Sequence, residues 1–188
     1  MSGKPVGFKT AIGDIRWLED LCDEIKKSGI DKAPDFITID GAEGGTGASP
    51  VTLMDNSAMS IFDALPQVTR ILNKHDLKKR MPVIASGKLV TAADVAWAMA
   101  YGADFVVSAR GFMFSIGCIM AMKCHTDKCP SGVATHDKKL QKALKPQEKK
   151  DKVKNYVERI QKEVEMIAHT CGVKHARLLN SNHLEILK

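Results

Sequence analysis

Three cysteines stand within twelve residues of each other, closer than the scattered cysteines of an ordinary protein core. Cys118, Cys124 and Cys129 follow the spacing C-x5-C-x4-C, and Pro130 comes directly after the last of them. We expect no disulfides here, because an odd cluster cannot pair internally and a cytosolic chain keeps its thiols reduced. Three thiolates followed by proline favour an iron–sulfur cluster as the group that they bind.

Spacing alone leaves two other states of these thiols open. A zinc ion would need a fourth ligand, for which His125 is available, although its place beside Cys124 makes joint tetrahedral ligation awkward. Alternatively, the thiols carry no metal. The two remaining cysteines, Cys22 and Cys171, are isolated in the sequence and are typical of buried thiols.

A glycine-rich loop from Asp40 to Pro50 follows a short apolar segment, with four glycines in seven residues. Glycines permit positive φ angles and close approach of the backbone, which suits a planar or phosphorylated ligand. No Gly-Lys-Ser/Thr follows, and the glycine spacing does not fit a dinucleotide fingerprint. The sequence therefore predicts a ligand-covering loop of another kind, rather than a merely flexible connection.

Two shorter loops carry glycine beside a basic residue, Ser86-Gly87-Lys88 and Ala109-Arg110-Gly111. Each lies at the end of a predicted strand with a predicted helix behind it, where barrel enzymes hold phosphate groups. Either loop alone could be a simple turn. Together, in consecutive units, they favour a cofactor that bears a phosphate.

The elements that must position these loops repeat in one order. Four apolar, β-branched segments are each followed by a small polar loop and a helical pattern, which predicts parallel strands with right-handed crossovers. Thr91, three residues before Asp94, predicts a helix N-terminal cap. The predicted strands are 6–9, 36–40, 83–86 and 105–108, and the predicted helices are 14–28, 60–75, 91–101 and 113–123.

Four such units fit either a small doubly wound sheet or half of an eight-stranded barrel. A complete barrel takes about 250 residues, and this chain has 188. A further helix, from about Lys152 to Thr170, has one apolar face and is expected to pack on the outside. We predict an α/β fold, a partial (β/α)8 TIM barrel of about four parallel βα units plus a C-terminal helix.

Composition and charge exclude several classes of protein. With 44% hydrophobic and 27% charged residues, the chain is neither collagenous nor disordered. Its longest charge-free apolar run, residues 111–122, is shorter than the roughly 18 residues of a membrane span, and no apolar leader opens the sequence. We expect no membrane association and a cytoplasmic location.

The net charge of +6 is local, since eight lysines lie between Lys138 and Lys154. This run contains no arginine and no aromatic residue, so neither base reading nor stacking on bases is supported, and we expect no nucleic-acid partner. A solvated connector and a surface for an anion or a partner are the two interpretations that remain.

These motifs together resemble the FMN-binding domain of glutamate synthase, and more closely its glutamate synthase-related branch. The likeness covers about residues 3–137 in family order and implies the C-terminal half of the barrel. Its pieces are Gly3 to Lys9, Asp40 to Pro50, Ala85 to Lys88, Ser108 to Phe114, Gly117 to Met120, Cys124 to Thr126, Cys129-Pro130 and Gly132 to Thr135.

The resemblance implies FMN at the C-terminal face of the barrel and a [3Fe-4S] cluster beside it. It also implies FMN-dependent reduction of 2-iminoglutarate, formed from 2-oxoglutarate and ammonia, to L-glutamate, with electrons from a donor protein or an NAD(P)H reductase subunit. The implied catalytic residues are Lys9 and Glu43, and the cluster ligands are Cys118, Cys124 and Cys129. The implied FMN-binding residues are Asp40, Gly44, Gly45, Thr46, Gly47, Ser49, Ser86, Gly87, Lys88, Ala109, Arg110 and Gly111.

Three positions depart from the family pattern: Glu43 replaces an expected Asp, Asp127 an Asn, and His136 a Gln. We divide the chain into a half-barrel with its cysteine loop at 1–137, a lysine-rich connector at 138–151, and a C-terminal helix and tail at 152–188. The resemblance does not extend to the first four barrel strands or to the glutaminase nucleophile, and we expect activity to need another chain or self-association. The competing hypotheses are a truncated, non-catalytic fragment and a metal-binding interaction module.

Overall fold

The computed structural model describes residues 3–44, 52–53 and 55–184, which form alternating strands and helices followed by a C-terminal helical segment. The strands are β1 (Gly7–Ala11), β2 (Phe36–Asp40), β3 (Val83–Ser86) and β4 (Phe105–Val107). The helices are α1 (Arg16–Ser28), α2 (Ile61–Lys74), α3 (Ala92–Ala100), α4 (Ala109–Ser115), α5 (Lys138–Gln141) and α6 (Pro146–Thr170).

The four strands form one parallel sheet in the order β1-β2-β3-β4. A doubly wound sheet reverses its strand order at a switch point, whereas a (β/α)8 barrel adds each strand beside the previous one. This sheet shows no reversal. The predicted α/β class with four parallel βα units is confirmed, and the strand order is that of a partial barrel.

The two faces of the sheet differ in their covering. On the helix-facing side, Ile37, Ile39 and Val83 are fully buried beneath the helices. On the opposite side, which is the interior of a barrel, Phe105 is 56% exposed and Val107 41% exposed. The described part of the chain therefore closes one face of its sheet and leaves the other open.

Helix α4 begins at Ala109, four residues before the predicted start, and ends at Ser115. Its C-terminal end is set by Gly117. This glycine has φ +99°, a conformation that L side chains rarely adopt. The Gly117 N–H binds the Phe114 carbonyl at 2.9 Å, and the Cys118 N–H binds the Met113 carbonyl at 2.9 Å. This is a Schellman end, so the predicted helix over 113–123 is wrong beyond Ser115.

Helix α6 begins at Pro146, six residues before the predicted start at Lys152. Proline is favoured in the first helical turn, and lysine is a good helix former, so the lysine-rich run continues the helix instead of ending before it. Val164 and Ala168 of α6 pack against α3, where the Thr91 capping box is confirmed. No helix in the described residues has the length and apolar composition of a membrane span.

A buried histidine joins α1 to α2. The His75 ring is 7% exposed, with Glu19 Oε2 at 2.7 Å from Nε2 and Asp23 Oδ1 at 3.5 Å from Nδ1. Lys74 lies 3.0 Å from the same Glu19 carboxylate. The pKa of Glu19 is below its ordinary value, chiefly because His75 binds its carboxylate and next because Lys74 does.

We predict that Glu19→Gln destabilises the fold in a pH-dependent way. A lowered carboxyl pKa contributes stability that is fully present above the ordinary glutamate pKa and is lost as the pH falls through the lowered value. The free energy of unfolding should therefore be reduced at pH 7, with the deficit shrinking below about pH 4. Urea unfolding across this range measures it.

Glu24→Gln, also on α1, is the matched control. The Glu24 carboxylate accepts a local hydrogen bond from the Ser28 hydroxyl, so its loss should change stability little at any of these pH values. A deficit in Glu19→Gln that stays constant from pH 7 to pH 3 would contradict the ion-pair explanation.

Candidate functional site

The carboxyl ends of the strands surround a small cavity of about 130 Å³, which we call the strand-end cavity. It gathers predicted site residues from all four βα units, because parallel strands end at the same edge of the sheet. Among its lining residues are Lys9, Asp40, Glu43, Gly44, Ser86, Gly87, Lys88, Ala109 and Arg110. Gly45, Thr46, Gly47 and Ser49 lie outside the described residues, and their predicted roles stay predictions.

Two of the lining residues of this cavity, Lys9 and Asp40, form an ion pair. Lys9 Nζ lies 2.7 Å from Asp40 Oδ2, and the Lys9 side chain is 57% exposed. The other carboxylate oxygen, Asp40 Oδ1, is buried and has no hydrogen-bond partner within the described residues. A buried acceptor without a partner is costly, so a donor from a ligand or from water would be favourable there.

Glycines around the cavity leave space that larger residues would occupy. Gly87 has φ +136° and approaches the Gly41 backbone closely, while Lys88 has φ 49°, also left-handed. A Cβ on Gly44 would lie 2.2 Å from Asp40 Oδ1. The Lys88 ammonium is held 2.7 Å from Asp55 Oδ1.

Glu43 has a structural contact that sequence reasoning did not predict. Its two carboxylate oxygens accept the Ile61 N–H at 3.2 and 3.1 Å, at the start of α2. A carboxylate at a helix N-terminus satisfies a free backbone donor and is favoured by the helix dipole. Glu43 thus ties the glycine-rich loop to α2, and its predicted catalytic role stays a prediction.

The three clustered cysteines line a second cavity of about 360 Å³, which we call the cysteine cavity. Most of its other lining side chains are apolar, among them Met113, Ile119 and Met122. The segment that shapes it is held in an unusual backbone, since Met120 and Met122 both have φ 54° and Asp127 has φ 61°. Left-handed backbone at residues with side chains concentrates at functional sites, and Asp tolerates it as well as the expected Asn would.

Cys129 sits in an environment that favours its thiolate. The thiol is 7% exposed, and Ser131 Oγ lies 3.4 Å from its sulfur. The pKa of Cys129 is lowered to about 7, first by the Ser131 hydroxyl and then by the backbone N–H groups of Ala134, Ser131 and Val133, against the opposing effect of burial. Hydrogen bonds to sulfur of this kind accompany iron–sulfur ligands.

The geometry of the described cysteines is not that of a zinc site. In a cluster, each thiolate binds a different iron, whereas a zinc ion draws all its ligands to one point about 2.3 Å from each sulfur. Within the described residues, no three His, Cys, Asp or Glu side chains are gathered closely enough to hold one ion. His125, the fourth ligand considered for zinc, is not among the lining residues of the cavity.

The two cavities are neighbours. Ala109 and Arg110, the first residues of α4, line both of them. The two residues therefore form a wall that the strand-end cavity and the cysteine cavity share. The sequence could not show this contact, because the cavities meet only after β4 and α4 have packed.

Tyr156 on α6 holds the loops behind this wall. Its hydroxyl donates to the Val90 carbonyl at 2.8 Å and contacts Ser108 Oγ at 2.6 Å, so it joins the segments that follow β3 and β4. Gly111, predicted to bind cofactor, is buried against this tyrosine. The sequence predicts only a helix with one apolar face here, since nothing in it indicates the partners of the Tyr156 hydroxyl.

A family model described as a conserved region in glutamate synthase matches residues 18–174. The chain belongs to the glutamate synthase family. It is 47% identical over 181 residues, 96% of this chain, to the glutamate synthase large subunit-like protein YerD of Bacillus subtilis (strain 168). It is 30% identical over 186 residues, 98% of this chain, to the archaeal-type glutamate synthase [NADPH] of Thermotoga maritima.

The chain spans about a third of the length of these family members, 34% of the first and 35% of the second. Its fold is also found in a solved flavocytochrome b2 mutant with benzoylformate, with a TM-score of 0.60 and 16% sequence identity. That match covers 99% of this chain and 36% of the other. The partial barrel is therefore confirmed by structural likeness as well as by strand order.

We predict that Gly111→Ala destabilises this family member by about 1–3 kcal/mol, the usual cost of overpacking. A Cβ at this position would lie 1.9 Å from the Tyr156 hydroxyl oxygen and 2.4 Å from its Cζ. Urea denaturation provides the measurement. Gly13→Ala is the control, because nothing lies within 4 Å of a Cβ there, and equal stability of the two variants would contradict the packing.

Proposed function

We propose that the chain is the C-terminal half of a glutamate synthase-type oxidoreductase domain in the cytoplasm. In this proposal it uses FMN and a [3Fe-4S] cluster to form L-glutamate from 2-iminoglutarate. The observation that carries the proposal is the shared wall of Ala109 and Arg110 between the strand-end cavity and the cysteine cavity. Groups bound in the two cavities would be neighbours, as electron transfer between them requires.

The residues of the strand-end cavity fit the phosphate end of FMN. Lys88 and Arg110 bring positive charge to its lining, and Gly87 leaves its backbone open to close approach. Complete small-molecule sites enclose roughly 300–1,000 Å³, whereas this cavity has about 130 Å³. We therefore assign only the phosphate end to it.

When bound, FMN would supply the hydride that reduces the imine of 2-oxoglutarate and ammonia, and the cluster would supply electrons from a donor protein or an NAD(P)H reductase subunit. Lys9 would contribute positive charge beside the flavin, where charge tunes the electronics of the ring. Asp40 orients that ammonium at 2.7 Å. Glu43 holds the loop that we expect to cover the substrate, through its bond to the Ile61 N–H.

Cys118, Cys124 and Cys129 would hold the cluster in the cysteine cavity. The Ser131 hydroxyl and the nearby backbone N–H groups would keep Cys129 deprotonated, as a metal ligand must be. The apolar lining would exclude water from the bound group.

The open face of the sheet implies that further strands complete the site. Phe105 and Val107 of β4 are exposed on the side that a barrel encloses, and burying such side chains gains about 1.5–3 kcal/mol each. We propose that the other barrel half, from another polypeptide segment or a second copy of this chain, covers this face.

Arg110→Ala tests the phosphate assignment. Loss of a charged hydrogen-bond donor should weaken FMN binding roughly ten- to hundredfold, while riboflavin, which has no phosphate, should bind almost unchanged. Flavin fluorescence titration measures both affinities. Arg70→Ala, an exposed arginine on α2, is the control, and equal losses for FMN and riboflavin in Arg110→Ala would reject the assignment.

Cys124→Ser tests the cluster ligands. Iron and acid-labile sulfide should fall to near zero in anaerobically purified protein, and flavin content should remain, because Cys124 lines only one of the two cavities among the described residues. Cys171→Ser, a thiol outside the cluster, should keep its iron. Unchanged iron in Cys124→Ser would overturn the ligand assignment, and colourless wild-type protein would favour the non-catalytic fragment.

A further inference from the structure

We propose that Tyr156 is a positioning residue that sets the preference of the strand-end cavity for a flavin that bears a phosphate. Its hydroxyl joins two segments, one that carries Lys88 and one that carries Arg110, and keeps both cations in reach of one anion. The inference rests on the proposed function, because it names what aligns the residues that we assign to the phosphate of FMN. Tyr156 itself is not a lining residue of either cavity in the described part of the chain.

The two cations reach the cavity on different segments. Lys88 follows β3, Arg110 follows β4, and both line the strand-end cavity. Charge-assisted hydrogen bonds form over donor–acceptor distances of about 2.7–2.9 Å. One phosphate can therefore engage both side chains only while the two segments keep a fixed spacing. The preference for phosphate depends on whatever fixes that spacing.

The sheet alone fixes the segment of Arg110 weakly. Strand β4 has three residues and, within the described residues, pairs only with β3. Helix α4, which follows it, has seven residues, and its N-cap residue Ser108 makes no side-chain capping bond. A short edge strand and a short helix open locally more readily than a buried core does. This segment therefore needs a further contact to hold its position.

The Tyr156 hydroxyl provides that contact. Its oxygen lies 2.8 Å from the Val90 carbonyl, two residues after Lys88. It also lies 2.6 Å from Ser108 Oγ, two residues before Arg110. A phenol has one hydrogen to donate, and it goes to the carbonyl because a carbonyl can only accept, so the Ser108 hydroxyl donates to the phenol oxygen. One oxygen thus joins the two segments.

The segment after β4 is shaped to receive this tyrosine. Serine at a helix N-cap usually binds a backbone N–H of the first turn, whereas the Ser108 hydroxyl turns to Tyr156 instead. The Phe112 ring meets the Tyr156 ring edge-on, with their centroids 5.4 Å apart. Gly111 leaves the space that the phenol occupies. Three neighbouring positions therefore accommodate one side chain of α6.

Tyr156 belongs to a frame that also fixes the segment of Lys88. Helix α6 packs against α3 in a buried cluster of apolar side chains. The N-terminal cap of α3 comes directly after Val90, whose N–H binds the Asp94 carboxylate at 3.1 Å. The Lys88 segment and α6 are thus held by the same helix. The Tyr156 hydroxyl ties the segment of Arg110 to that frame.

Tyr156→Phe tests the proposal, because it removes the hydroxyl and keeps the ring. The affinity of the full chain for FMN should fall roughly three- to tenfold, as expected for the loss of about one hydrogen bond, while riboflavin affinity should change less than about twofold. Flavin fluorescence titration measures both. Tyr101→Phe is the matched control, since it removes the same atom from the only other tyrosine, at the opposite end of α3.

Ser108→Ala removes the other side of the contact. It should lower FMN affinity by a similar factor, and Ser108→Ala/Tyr156→Phe should show little further loss, because both changes act on one interaction. Amide hydrogen exchange without flavin gives a second measurement. The Phe112 and Ile116 N–H groups, which are bonded within and at the end of α4, should exchange faster in Tyr156→Phe than in Tyr101→Phe.

Equal weakening of FMN and riboflavin in Tyr156→Phe would show a general packing role and refute the proposal. Unchanged FMN affinity, or additive losses in the double variant, would refute it too. A wild-type chain that binds neither flavin would contradict the proposed function instead. Hydrogen exchange would then still decide the positioning role, since unchanged exchange at Phe112 in Tyr156→Phe would mean that the hydroxyl does not hold this segment.

Discussion

Hydrogen bonding between parallel strands in sequential order places every strand's carboxyl end on one edge of the sheet, and both cavities depend on that edge. Asp40 and Ser86 are register partners at the ends of β2 and β3, and neighbouring strands lie only about 4.8 Å apart. Groups separated by dozens of residues in the chain, such as Lys9 and Arg110, therefore line the same small space. If the strands were reordered, these loops would have no common site.

The two faces of the same sheet show where this partial barrel is closed and where it is open. Its helix-facing side is a closed core around Ile37, Ile39 and Val83. Its other side carries Phe105 and Val107 into solvent, and the hydrophobic effect favours any partner that covers them. One face of the sheet thus stabilises the fold, and the other face is available for assembly. The strand-end cavity lies at the carboxyl ends of the same strands.

The backbone around the cysteines is positioned by two contacts, the end of α4 at Gly117 and the hydrogen bonds of the Tyr156 hydroxyl. Gly117 ends α4 and thereby sets the backbone position of Cys118. The Tyr156 hydroxyl of α6 binds the segments that follow β3 and β4. Position 111 must be glycine, because a Cβ there would clash with the Tyr156 ring. A helix that sequence analysis expected merely to pack outside therefore supports the wall between the cavities.

Local sequence determined the elements with strong local signals. Alternating apolar segments and helical periodicity predicted all four strands and the first three helices closely, and Thr91 with Asp94 predicted a cap, because these depend on neighbours within a few residues. The sequence also indicated which residues share the strand-end cavity, since parallel order implies a common edge. Only the tertiary structure decided the remaining features: the end of α4, the binding of Glu43 to the α2 N-terminus, the Lys9 to Asp40 ion pair, and the wall shared by the two cavities. Each of these depends on distances between segments far apart in the chain or on a backbone angle, and neither quantity is encoded in residue type or spacing alone.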